Sequence, residues 1–217
     1  MEKQRKYKMF SIVALVVAIC GMTLGFAAFS KVLTINANAT VIPNSEDFNV
    51  IAYADEYDES DMTIIPVVNG ATAENALISN GSTISLSNMK VNFSKPGQSV
   101  SYMFFVKNTG KYNAYVKKIE FTKVNDGVVN YSCVGADNVS SSLVSAACND
   151  MEISLDIMGG EGLVSFNETT NISGSFMEPN YGTYAVVNIK YKEDGTYVDG
   201  DFSVDFGQIN VYFSSAE

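Results

Sequence analysis

Along most of the chain, apolar residues recur at every second position. "VLTINANATV" places Leu33, Ile35, Ala37, Ala39 and Val41 on one face of an extended strand, with Thr34, Asn36, Asn38 and Thr40 opposite. "FNVIAYA", "TISLSNMKVNF", "SVSYMFFVKN", "NAYVKKIEF", "GVVNYSCV" and "MEISLDIM" carry the same period, and "TYAVVNIKY", "DFSVDF" and "QINVYF" close the chain. "MTIIPVV" is a weaker strand, because Pro66 has no N–H to give a central ladder. Turn residues separate the strands at "KPGQ", "NTGK", "NDG", "KEDG" and "VDGD". Helical candidates are confined to two short stretches, "NALISN" and "NVSSSLVSAAC". Many short strands with turns between them predict an all-β protein, an antiparallel β-sandwich of jelly-roll-like form.

The alternation is absent at the N-terminus. There "MEKQRKYK" leads into the uncharged apolar run "MFSIVALVVAICGMTLGFAAF", which predicts a leader helix. Gly25, Ala27 and Ala28 end it with small residues, the layout of a secretory signal peptide cut between Ala27 and Ala28. The run also has about the ~20 residues needed to span a bilayer, so an uncleaved membrane anchor is the alternative. In both cases the basic flank stays inside and the remainder goes outside. The expected organisation is a leader over 1–27, an alternating segment over 28–42, and one β-sandwich domain over 43–217, after the break at "PNSED". About 190 residues after the leader suffice for a single sizeable core.

Composition narrows the function classes. The chain has no histidine, which removes His-based zinc sites, Ser–His–Asp or Cys–His nucleophiles and HExxH helices. No Gly-rich phosphate loop joins a strand to a helix, so the expectation is a protein that is not an enzyme and needs no cofactor. The net charge of -10 includes a basic start (Lys3, Arg5, Lys6, Lys8), so the rest is more acidic still. That argues against nucleic acid or an anionic membrane as partner, apart from the leader itself.

Two features carry candidate chemistry. Cys133 and Cys148 enclose a short polar segment, and in an exported chain they suit a disulfide worth ~3 kcal/mol by loop entropy; two buried thiols are the alternative. "ADEYDESDM" gathers Asp55, Glu56, Asp58, Glu59 and Asp61. Such a density could offer oxygens to calcium, but the spacing and glycine of an EF-hand are missing, and a solvated acidic loop is the favoured reading, so no metal is assigned.

Three pieces together resemble one family. The leader ends "LGFAAFS", similar to the junction cut by SipW-type signal peptidases. "SLSNMKVNFSKPGQSVSYMFFVKNTGKYNAYVKKIEF" resembles a strand, "KPG" turn, strand, small-polar turn and strand in series, a central hairpin region. The chain closes on "YAVVNIKYKEDG" and "DFSVDFGQINVYF", read as paired strands. The family is that of TasA and camelysin (CalY), secreted fibre-forming proteins of bacterial biofilms with a jelly-roll fold. The resemblance implies a subunit of an extracellular-matrix or cell-surface fibre. It implies that a signal peptidase acts on the chain, and that its partners are further copies of itself, head to tail, with minor fibre subunits. It also implies donor-strand complementation, in which Leu33, Ile35, Ala37, Ala39 and Val41 enter a neighbour's sheet; pairing of this strand within its own sheet is the open alternative. The rival function is a membrane-anchored β-sandwich ectodomain acting in adhesion or ligand binding.

Overall fold

The computed structural model describes residues 47–125, 128–159, 162–167 and 176–215, all within the unit that runs from Pro43 to Glu217. In chain order the strands are β1 (Val50–Tyr53), β2 (Thr63–Ile64), β3 (Val67–Asn69), β4 (Thr72–Ala73), β5 (Ala76–Asn80), β6 (Ile84–Ser87), β7 (Lys90–Phe93), β8 (Ser99–Asn108), β9 (Ala114–Phe121), β10 (Val124–Asn125), β11 (Val128–Val129) and β12 (Ser132–Gly135). A short helix α1 (Ser141–Cys148) precedes β13 (Met151–Gly159), β14 (Gly162–Asn167), β15 (Phe176–Met177), β16 (Gly182–Tyr191), β17 (Phe202–Asp205) and β18 (Ile209–Ser214).

Apart from β10 and β11, which pair with each other, these strands form two antiparallel layers. In the first, β8 is flanked on one side by β1 and β3, which share its length, and on the other by β16, β13 and β14 in that order. The ten-residue strands β8 and β16 match because both alternate: Tyr102, Phe104 and Val106 face inward from one, Ala185, Val187 and Ile189 from the other, with Phe105 the one residue of the opposite face of β8 that is also buried. The second layer is one bent sheet. Leu86 lies opposite Ile209 and Lys90 opposite Asp205 without a slip of register, so β6 runs into β7 alongside β17 running into β18. Between the halves Asn88 (φ 62°) and Gly207 (φ 75°) both take left-handed backbone, and Phe206 N donates to Met89 O. A Cβ on Gly207 would lie 2.6 Å from Lys123 Cγ and 2.8 Å from Thr122 Oγ1, so the bend is sterically reserved for glycine. The inner faces meet in one core, with Phe93, Tyr191 and Phe202 in mutual ring contact across the layers.

Several sequence expectations change here. "NALISN" is a strand, β5, and not a helix: Ala76 and Ile78 are buried while Leu77 and Ser79 face out, a period of two that its few residues concealed. "MTIIPVV" is two strands in different layers, β2 pairing with β5 and β3 with β8, because the chain changes layer at Pro66. The "KPGQ" and "NTGK" turns do not close a hairpin; each carries the chain from one layer to the other. Buried amides hold both crossings. Gln98 Oε1 accepts from Ser94 N and Lys95 N, while its Nε2 donates to Gly70 O. Asn108 Nδ2 donates to Tyr112 O and Met177 O, and its Oδ1 accepts from Gly110 N. Nor are "YAVVNIKY" and "DFSVDFGQINVYF" paired: β16 belongs to the first layer, β17 and β18 to the second.

Candidate functional site at the sheet edges

Among the described residues no group of Cys, Asp or Glu is placed to hold a metal, and the features of the fold open to recognition by another chain are its sheet edges and outer faces. An edge strand exposes a row of N–H and C=O groups that another strand can pair with. In the bent sheet the end strands β2, β4 and β15 are two residues long, too short to template much. The remaining end strand, β12, is tied to α1.

The first sheet has two unlike edges. At β1, Ala52 is fully buried, and both its main-chain groups are taken by one side chain from the other layer. Asn80 Oδ1 accepts from Ala52 N at 2.8 Å and Asn80 Nδ2 donates to Ala52 O at 2.8 Å. The carboxamide thus stands where a neighbouring strand's peptide group would be. One residue on from Tyr53, Ala54 N donates to Asp61 O at 2.7 Å, so the loop over 54–61 closes the end of that edge beyond Ala52. At the opposite edge β14 has β13 on one side, with Val164 opposite Ile157 and Ser165 opposite Asp156, and no strand beyond it among the described residues. Its sequence, "GLVSFN", holds neither charge nor proline, the usual guards of an edge.

The acidic loop is a strap over the outer face beside β1. Tyr53, Phe105 and Tyr184 form a row of rings there, with centroids 5.4 and 5.1 Å apart. Glu59 pairs with Lys107 at 2.7 Å, and Glu56 accepts from the Tyr184 hydroxyl. The Glu59 hydrogen bond is the main cause of a raised Lys107 pKa, and the Glu56 hydrogen bond the main cause of a Tyr184 pKa pushed up to about 12. The aspartates turn back on their own backbone: Asp55 Oδ1 accepts from Tyr57 N, Asp58 Oδ1 from Ser60 N and Oγ, and Asp61 Oδ1 from Thr63 N. The Ser60 side chain is the first cause of a lowered Asp58 pKa. The five carboxylates therefore serve separate partners and do not converge on a common point.

Cys133, on β12, and Cys148, the last residue of α1, form a disulfide with Cα atoms 6.1 Å apart. The bridge pins the helix, whose Val144 and Ala147 are buried, against β12. The cut positions Ala27 and Ala28 lie outside the described residues, as do Leu33, Ile35, Ala37, Ala39 and Val41. The Asn80 clasp is the site residue that sequence reading missed. Its signal was Asn80–Gly81, a hairpin turn dipeptide between two apolar runs, in a stretch read instead as helical. Comparison with protein-family models, with curated proteins and with solved structures gives no match to this chain.

Proposed function

We propose that this chain is a secreted, non-enzymatic structural protein whose jelly-roll-like domain polymerises head to tail into fibres of the extracellular matrix or cell surface. Residues 28–42 of one copy add as a strand along β14 of the next, after a signal peptidase removes residues 1–27; minor fibre subunits are the other expected partners. The observation that carries the reading is the contrast within the first sheet, one edge held by Asn80 and the strap, the other with no strand beyond it among the described residues. An added strand with Leu33, Ile35, Ala37, Ala39 and Val41 turned inward would prolong the apolar rows of that sheet, such as Phe104, Ala185 and Ile157. Each large apolar side chain so buried contributes ~1.5–3 kcal/mol.

The geometry of the linker favours a second copy as the donor. Asp47 is held at the β8–β9 turn by Lys111, through a 2.8 Å main-chain bond and a 2.6 Å ion pair. A strand added beyond β14 lies five strand spacings from β1, ~24 Å, whereas the five steps from Ile42 to Asp47 reach ~17 Å when fully taut. A head-to-tail contact of this kind does not close on itself and so yields a filament. The test is electron microscopy of residues 28–217 beside a variant lacking 28–42. Filaments from the first alone are expected, and equal filaments from both would sink strand donation. Intact mass of the protein from cells separates the fibre subunit from the anchored ectodomain, since only the fibre requires loss of residues 1–27.

A further inference from the structure

We infer that Asn80 is a deamidation site and that the clasp it makes on Ala52 is a one-way latch on the β1 edge. The inference stands apart from whatever adds to β14. It starts from the dipeptide Asn80–Gly81. A glycine after asparagine leaves its main-chain nitrogen least hindered, and around Gly81 the nearest heavy atom to a would-be Cβ is Thr83 O at 3.9 Å. The Gly81 nitrogen attacks Asn80 Cγ, a C–N bond forms, and the side-chain nitrogen leaves as ammonia with the proton from the Gly81 amide. Water then opens the cyclic imide at either carbonyl, leaving an aspartate or isoaspartate at position 80.

The clasp bears on this reaction in both directions. While Oδ1 and Nδ2 are both bonded to Ala52, Cγ is held toward β1 and away from the following peptide. Ring closure then requires both bonds to open first. Once conversion has occurred, re-closure fails on donor count. A carboxylate could accept from Ala52 N only by setting its second oxygen against Ala52 O, for which it has no hydrogen, so the clasp does not re-close and both main-chain groups lose their partner. Ala52 is fully buried, so its carbonyl would lose its partner where water does not readily replace it. The conversion thus turns the closed edge of the first sheet into an open one, with no enzyme and no route back.

The chain supplies an internal control in Asn69–Gly70, also exposed and at the end of β3. The full chain is incubated folded in warm alkaline buffer, and again in denaturant, with peptide mapping of conversion at both asparagines. In denaturant the two should convert alike. In the folded protein Asn80 should lag Asn69 by roughly thirtyfold, the factor for breaking two hydrogen bonds of typical net strength. Equal rates in the folded protein would overturn the guard. In Asn80→Asp, exchange of the Ala52 amide should rise by roughly tenfold while that of Leu155, in the core, stays unchanged. Unchanged Ala52 protection would overturn the latch. Should that variant not fold, the converted fraction of the wild-type chain gives the same reading.

Discussion

The two edges of the first sheet solve the same problem differently. At β1, a side chain from the opposite layer imitates a strand, and an acidic loop covers what the side chain leaves. At β14, six uncharged residues end the sheet with no strand beyond them among the described residues. The difference teaches that edge protection here is local and residue-specific: one carboxamide at one position closes the middle of β1, while the described residues place no strand beside β14. Lysine, proline, brevity or a covering element each serve as such a guard, and β14 carries neither lysine nor proline.

The largest expected effect comes from arming the bare edge. Ser165→Lys puts a charge on β14, opposite Asp156, where the opposite sign suits the folded domain. Filament growth should fall to background in sedimentation and microscopy while the melting temperature stays within a degree or two of wild type. Growth at the wild-type rate would mean that strand addition uses another edge.

Next is the edge at β12, which is held neither by a carboxamide nor by brevity but covalently. Replacing Cys133 and Cys148 together by serine frees α1 from β12 and should cost about 3 kcal/mol in chemical denaturation, the loop entropy of 15 intervening steps. A loss well under 1 kcal/mol would show that α1 docks by packing of Val144 and Ala147 alone.

How much of this was legible beforehand differs by region for physical reasons. β8 and β16 were plain, because ten alternating residues with one face in the core repeat the period often enough to leave one reading. β5 was not, since five residues fit either period and the deciding facts are its partners β2 and β6. The turns at "KPG" and "NTG" were visible as turns, but not as crossings between layers. What sends the chain across is the pair of buried amides Gln98 and Asn108, whose partners lie up to 69 residues away. The acidic cluster was seen as five charges and interpreted by density. Its real logic is short-range, three aspartates each bonding two residues ahead, with two glutamates reaching distant partners. Asn80–Gly81 marks a turn locally, but the clasp itself depends on both layers being in place, so the dipeptide points to the residue and not to its partner Ala52.

Unplugging the closed edge is the third test. Asn80→Ala leaves the buried N–H and C=O of Ala52 unpaired and should cost about 2 kcal/mol, read from urea midpoints at constant slope. If the comparison between edges is sound, this variant should also gain a second, disordered mode of association at high concentration, which light scattering would detect. An unchanged midpoint would place the closure of β1 in the strap instead.

The smallest effect concerns that strap, and it is a matter of pH. Tyr184 is pushed up to about 12, first by its hydrogen bond to Glu56 and then by burial. A raised phenol pKa means the folded state favours the protonated hydroxyl. Its stabilisation is therefore whole below the ordinary value of 10 and is lost as pH rises through about 12. Tyr184→Phe removes the donor, so its denaturation midpoint should lie slightly below that of wild type at neutral pH and meet it near pH 12. Alkaline difference spectra should lose one late-ionising phenol, leaving Tyr191, also pushed to about 12 by desolvation, in place. The Glu59–Lys107 pair still holds the loop in that variant, with half-exposed partners that salt screens, so the change should be small. If Tyr184→Phe instead opened the Ala54–Asp61 bond and exposed β1, the strap and not the carboxamide would be the principal guard of that edge.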